Sequence, residues 1–257
     1  MVKRPKSVRR QESTAAQARA AAIRQEQERS ERRRRNLVVS GVVVLVLLVV
    51  GGIAYGLQSR RDTTGAAGAN PANTSSTYVI SNGSSSAPLT VDLYEDFQCP
   101  ICDELEQASR TWLPAAIASG KVQVRYHMMA FLDQSSNGHR YSSRALNAYA
   151  AVVDTAGTDV AAKFHSLLYQ NQPAEGTNGL TDAQLIDYAV QAGASRDKVA
   201  PLITSDHYKQ WVLNATNKAS QEGVTGTPTA KIAGTTLPFN GAQALSDLLK
   251  QRVAAGH

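Results

Sequence analysis

Cysteine is nearly absent from this 257-residue chain: there are two, and they stand together as Cys99-Pro100-Ile101-Cys102. That scarcity excludes a disulfide-stapled scaffold and a four-cysteine zinc site. A mixed metal site has no support either, because His127, His139, His165 and His207 show no paired ligand spacing. Charge is missing altogether from residues 37–57. A basic excess is missing from everything after the N-terminal arm. Residues 1–36 carry 12 Lys and Arg against four Glu, a net of +8, so a chain total of +6 leaves −2 for residues 37–257. The basic character therefore belongs to the arm and not to the folded part.

The uncharged run Leu37 to Leu57, LVVSGVVVLVLLVVGGIAYGL, reaches roughly 30 Å as a helix, enough to cross a bilayer core. A cleaved signal peptide would carry a shorter apolar stretch. Small residues at 66–69 leave late cleavage open, but the length favours a retained transmembrane helix. Arg32 to Arg35 abut the run on one side, and only Arg60 and Arg61 follow on the other. The positive-inside rule then sets residues 1–36 as a cytoplasmic arm and the C-terminal part as extracytoplasmic, on a single-pass anchor in the cell membrane. The arm reads as a topology signal. No aromatic residue or fold motif accompanies its charge, so a nucleic-acid partner is not expected.

Residues 58–77 contain the small and polar stretch DTTGAAGANPANTSS, a flexible linker by composition. A folded domain is expected over 78–257. Pro88 to Tyr94 alternates with β-branched residues and predicts a strand. A helical stretch starts at Cys99 and ends at Gly120, kinked or split at Pro114. Val122 to Ala130 predicts a second strand. Helices follow over Ser142–Thr155, Val160–Gln170, Thr181–Ala192, Ser195–Thr204 and Asp206–Glu222, with Asp182 and Asp206 as start signals and Gly157, Gly193 and Gly223 as stops. Strand character returns at Thr229–Ile232 and Thr235–Leu237. An amphipathic helix over Ala242–Val253 closes the chain. Setting aside the helical block, about 135–222, the order is an α/β pattern around a mixed sheet.

The cysteine pair sits where a strand gives way to a helix. The first turn of a helix offers unpaired N–H groups and a partial positive charge, which stabilise a thiolate at Cys99. An inert disulfide would close too small a loop to gain much entropy. A redox couple is the reading that remains. More than 120 residues on, Gly226-Thr227-Pro228-Thr229 precedes a strand. Its plain reading is an ordinary turn. Its functional reading is a cis peptide bond that sets Pro228 against the sulfurs and leaves the Thr227 backbone to pair with an extended substrate chain. Glu95 and Asp96 stand just before the pair. They are candidate proton acceptors for Cys102 and, equally, residues that cap the strand end. Met128 and Met129 read as packing or as part of an apolar groove for unfolded chain.

Tyr94-Glu95-Asp96-Phe97-Gln98-Cys99-Pro100-Ile101-Cys102, the helical insertion, and Val224-Thr225-Gly226-Thr227-Pro228-Thr229 together resemble the DsbA family of thioredoxin-fold proteins, most of all its membrane-anchored actinobacterial type. The resemblance spans Tyr78 to Ala255. It implies a thioredoxin fold with a helical insertion between β-α-β and β-β-α halves, following the transmembrane helix. It implies Cys99 as the exposed nucleophile, Cys102 as its buried partner, and Thr227 and Pro228 as the substrate-binding pair facing them. It implies protein thiol:disulfide oxidoreductase activity without a cofactor, on exported cysteine-containing substrates. A quinone-linked membrane oxidase, DsbB-type or vitamin-K-epoxide-reductase-like, would reoxidise it. The family's strongest oxidants have His at the position of Ile101, so a weaker oxidant is expected here. A reductase or isomerase serving, for example, cytochrome maturation, and a non-catalytic client-binding module, are the competing functions.

Overall fold

The computed structural model describes residues 68–75 and 78–256. The basic arm and the anchor expected at 37–57 lie outside the described residues. Among the described residues no helix is long and apolar enough to cross a membrane.

The elements in chain order are β1 (Ile80–Asn82), β2 (Leu89–Asp96), α1 (Pro100–Ser109), α2 (Leu113–Ala118), β3 (Val122–Met129), α3 (Tyr141–Gln170), α4 (Asp182–Ala192), α5 (Arg196–Thr204), α6 (Lys209–Gln221), β4 (Thr229–Ile232), β5 (Thr235–Thr236) and α7 (Ala242–Ala255). The strands form one sheet in the order β1-β3-β2-β4-β5. Only β2 and β3 run parallel, with Val91 beside Val124, Leu93 beside Tyr126 and Glu95 beside Met128. The fold is a thioredoxin fold with a mixed sheet, and helices α3 to α6 are inserted between β3 and β4.

The central strand β2 is covered on both faces, which explains why its sequence LTVDLYED is not a clean apolar–polar alternation. On one face Val91, Leu93 and Val124 pack with Trp112, Leu249 and Val253 of the helical layer. On the other, Tyr94 and Met129 pack with Ala219 and Val224. Met128 and Met129 are both fully buried, so neither lines an open groove. Buried Ser246 of α7 ties the layers together: its hydroxyl accepts from Trp112 Nε1 at 2.9 Å and donates to the Ala108 carbonyl at 3.1 Å.

Some expectations are met and others revised. Strand β1, antiparallel to β3 through Ile80 and Tyr126, is an addition; three residues are too short a run for periodicity to show. The helical stretch after Cys99 is split as expected, with the break just ahead of Pro114, which sits in the first turn of the second helix, where its missing N–H costs nothing. The linker expected over 58–77 is not free throughout. Ala72 N donates to Asp154 Oδ1 at 2.7 Å and Asn73 Nδ2 to the Val153 carbonyl at 2.9 Å, which hold residues 68–75 against α3. Gly157 is the stop expected: at φ 82°, ψ 176° its backbone is not helical, and α3 is two helices joined across a kink there. Asp206 is not a helix start. It lies at φ 54° in the turn before α6, bound to Arg140 at 2.9 Å. Thr181 is the start signal that the sequence pattern passed over, with a reciprocal capping box to Gln184.

Candidate active site

Cys99 occupies the N-cap of α1 and Pro100 the first helical position. Proline fixes the entry angle there, and Cys102 falls one turn in, beneath Cys99. The backbone closes the turn through Cys99 N to the Asp96 carbonyl at 2.9 Å and Cys102 N to the Cys99 carbonyl at 3.0 Å. Both cysteines are free thiols. Cys102 is wholly enclosed, and Cys99 is itself only 5% exposed. The resemblance implied an exposed nucleophile. Here the Thr227 segment lies over it, and the Cys99 thiol donates to the Thr227 carbonyl at 3.2 Å. Ile101, 43% exposed, is the large apolar side chain at the surface of the motif.

The Thr227–Pro228 peptide is cis. It brings residues of β4's approach against the start of α1, so two segments 128 positions apart in sequence meet at one sulfur.

The two thiols are set far apart in acidity. The Cys102 thiol, donating to Cys99, pulls the Cys99 pKa down to about 7 against the opposing effect of burial. The Thr227 side chain and the backbone N–H groups of Cys102 and Ile101 favour the Cys99 thiolate further. Burial pushes the Cys102 thiol well up, and the adjacent Cys99 and the Glu95 charge push the same way. Asp103 in the first helical turn is held by Gln107, whose Nε2 donates to its Oδ2 at 2.7 Å.

Glu95 and Asp96 are consecutive on β2, so their side chains leave on opposite faces. Glu95 is 1% exposed and meets His165 of α3, Oε2 to Nε2 at 2.8 Å. Burial raises its pKa and the hydrogen bond shared with His165 opposes that rise. Asp96 is fully buried and accepts from Ser142 Oγ at 2.6 Å, Gln98 N at 2.9 Å and Leu132 N at 2.9 Å. Despite three donors, burial lifts its pKa to about 6. The pair therefore divides: Glu95 stands in the electrostatic environment of Cys102, whereas the Asp96 carboxylate pins the loop ahead of Cys99 to the inserted helices.

Sequence reasoning left His165 unassigned and did not single out Gln172. Gln172 Nε2 donates to the carbonyls of Phe97 and Cys99 at 3.1 and 2.9 Å, and Tyr169 Oη donates to the Asp96 carbonyl at 3.2 Å. For His165 a signal existed. It sits among Phe164, Leu168 and Tyr169 on the buried face of α3, where a histidine calls for a polar partner. His127 pairs with Asp92 at 2.8 Å on the opposite face of the sheet, stacked on Tyr94. Among the described residues no group of three or more His, Cys, Asp or Glu gathers in a way that would hold a metal ion.

The model of the family described as Thioredoxin matches residues 75–251. The reduced disulfide bond oxidoreductase DsbG of Mycobacterium tuberculosis is 28% identical, with TM-score 0.58 over 69% of this chain and 91% of that one. Oxidised DsbA of the same organism is 31% identical, with TM-score 0.56 over 71% and 95%. The thiol-disulfide oxidoreductase MdbA of Actinomyces oris, at 21% identity and TM-score 0.60 over 72% and 91%, shares the fold. The serine/threonine-protein kinase PknE of Mycobacterium tuberculosis is 35% identical over 115 residues, 44% of this chain. The chain spans only 20% of the length of those curated kinase relatives. With a cysteine pair at a helix start, a facing cis-proline segment and four helices inserted between β3 and β4, the chain belongs to the thioredoxin family in its DsbA-like form.

Proposed function

We propose that this protein, a thiol–disulfide oxidoreductase of the DsbA type, donates disulfides to exported cysteine-containing proteins from the outer face of the cell membrane, anchored through residues 37–57. The observation that carries the reading is the divided acidity of the cysteine pair. With a pKa of about 7, roughly half of Cys99 is thiolate at neutral pH, against a few per cent for an ordinary thiol. A stabilised Cys99 thiolate is a good leaving group, so the reduced enzyme is favoured and its disulfide is given away.

In the donating direction a substrate thiolate attacks Cys99 Sγ of the Cys99–Cys102 disulfide. The Cys99–Cys102 bond breaks, and Cys102 takes the electron pair and then a proton. A second substrate thiolate attacks the substrate sulfur of the mixed disulfide, and Cys99 leaves as thiolate. The substrate gains a disulfide, and the enzyme holds two reduced sulfurs for a membrane oxidase of the DsbB or vitamin-K-epoxide-reductase-like kind to reoxidise. Thr227, half-buried beside Cys99, is positioned to pair with an extended substrate backbone, with Pro228 beneath.

Acidity supports exchange at Cys99 in either direction: a nucleophile near 7 is shared with thioredoxin and lies far from the roughly 3.5 of the strongest family oxidants, so a reductase is the competing reading. The redox equilibrium of the full-length protein with glutathione decides between them. A donor is expected to settle between about −120 and −230 mV, and a value near −270 mV would sink the donor reading.

A further inference from the structure

Glu95, whose charge acts on Cys102, begins a run of ionisable groups that ends at a cavity. Glu95 meets His165 at 2.8 Å, and on the other side of the imidazole His165 Nδ1 stands 3.9 Å from Glu106 Oε2 of α1. Ser166 Oγ fixes Glu106 by donating to its other oxygen at 2.6 Å. His165 and Glu106 then line a cavity of about 460 Å³ with Tyr126 and Tyr149, and the exposed side chains of Arg110, Asp159 and Lys163 stand at its rim. Neither cysteine, nor Thr227, nor Pro228 lines it.

We propose that His165 carries the proton that Cys102 gains and loses, passing it between Glu95 and the Glu106-lined cavity, by a route that never crosses the surface where Cys99 meets another protein. This rests on the reading of Cys102 as the resolving thiol with Glu95 as its acceptor.

The step arises in reoxidation. Cys102 attacks Cys99 Sγ of a mixed disulfide, forming the Cys99–Cys102 bond, and the partner sulfur leaves with the electron pair. The Cys102 proton passes to Glu95. His165, in the tautomer protonated at Nδ1, accepts at Nε2 and releases from Nδ1 towards Glu106 and cavity water. In substrate oxidation the same path runs backwards and supplies the proton that the departing Cys102 takes up.

The surroundings suit a carrier. Charge faces the ring from Glu95 on β2 and Glu106 on α1, while Tyr126 of β3 and Tyr149 and Tyr169 of α3 enclose it at ring separations of 4.9, 5.9 and 4.9 Å. Burial pushes all three phenols up, so none releases a proton in the working range. Burial alone would lower His165, but the Glu95 hydrogen bond and charge, with the Glu106 charge, raise it, so the ring takes a second proton more readily than an ordinary histidine. A ring kept only for packing would not need a carboxylate at each nitrogen.

The test uses the full-length protein carrying glutathione on Cys99, with release of glutathione by Cys102 followed by stopped flow from pH 5 to 9. His165→Gln and Glu106→Gln are expected to slow release about a hundredfold and to flatten its pH profile, the low end of what a positioned proton carrier contributes. Alkylation of Cys99 should keep its wild-type rate in both. Imidazole, small enough for the cavity, should restore release in His165→Ala. Wild-type release in His165→Gln, or a loss that imidazole fails to restore, overturns the relay. Should the His165 variants fail to fold, Glu106→Gln at the cavity wall carries the test alone, and wild-type release there overturns it. Glu95→Gln separates the two ideas. Slow release in Glu95→Gln with normal release in His165→Gln removes the relay and spares the acceptor, whereas normal release in Glu95→Gln removes the acceptor itself.

Discussion

Asp96 gathers three hydrogen-bond donors on one carboxylate and still titrates at about 6, because full burial outweighs them. The sign of the consequence follows. An ordinary Asp titrates near 3.9, so between about pH 4 and 6 the folded chain holds this proton more tightly than the unfolded chain. The contribution of Asp96 to stability therefore falls as pH rises through that window, by about 3 kcal/mol for a shift of this size. Asp96→Asn removes the titration and weakens one of the three contacts. Denaturant unfolding of both proteins should show a wild-type advantage at pH 4 that shrinks by pH 7; an advantage that grows with pH would contradict the placement. Cys99, Cys102, Thr227 and Pro228 were legible as residues because spacing and proline chemistry are local signals. Gln172 was not, since it meets Cys99 across 73 positions, and for His165 the apolar setting on its helix signals the need for a polar partner but not that the partner is Glu95, 70 positions away. Glu95 and Asp96 were legible as a pair, but the parting of their roles depends on which face of β2 each one leaves.

Among the elements, the long insertion is built to be held at its turns. Asn147 Oδ1 accepts from Tyr208 N at 2.8 Å while its amide donates to the Leu202 and Ile203 carbonyls, locking the α5–α6 turn onto α3. Gly179, in the approach to α4, has φ +73°, and a Cβ there would lie 2.5 Å from the Tyr141 side chain at the start of α3. Gly176 has a similar φ of +77° with open space around it. Gly179→Ala should cost about 3 kcal/mol, combining backbone strain with the clash, and Gly176→Ala only about 1 kcal/mol from strain alone. Guanidinium unfolding midpoints at unchanged slope check the pair, and equal losses would refute the close approach. Helices α4 and α5 and strands β2 to β4 were readable from periodicity and breakers. β1 was too short to read, and the start of α6 was hidden because its turn uses Asp206 as an ion-pair partner, not a cap.

For the whole molecule, charge is segregated along the chain: +8 on residues 1–36 and −2 on the rest. The proposed topology places that boundary at the membrane and makes a prediction about intact cells. Protease added outside should remove the domain carrying Cys99 and leave an N-terminal epitope protected until lysis. Protection of both ends before lysis would place the domain inside, where a glutathione pool would keep its thiols reduced.

The hydrogen bond from Cys99 to Thr227 joins positions 128 residues apart, and Gln172 reaches the Cys99 carbonyl from 73 residues away. Contacts of such span form late, after the loop entropy between them has been overcome. The sulfur's temper is thus assembled in two instalments: Cys102 and the first turn of α1 supply the larger share from three positions away, and Thr227 adds its part only when the far end of the chain has come home.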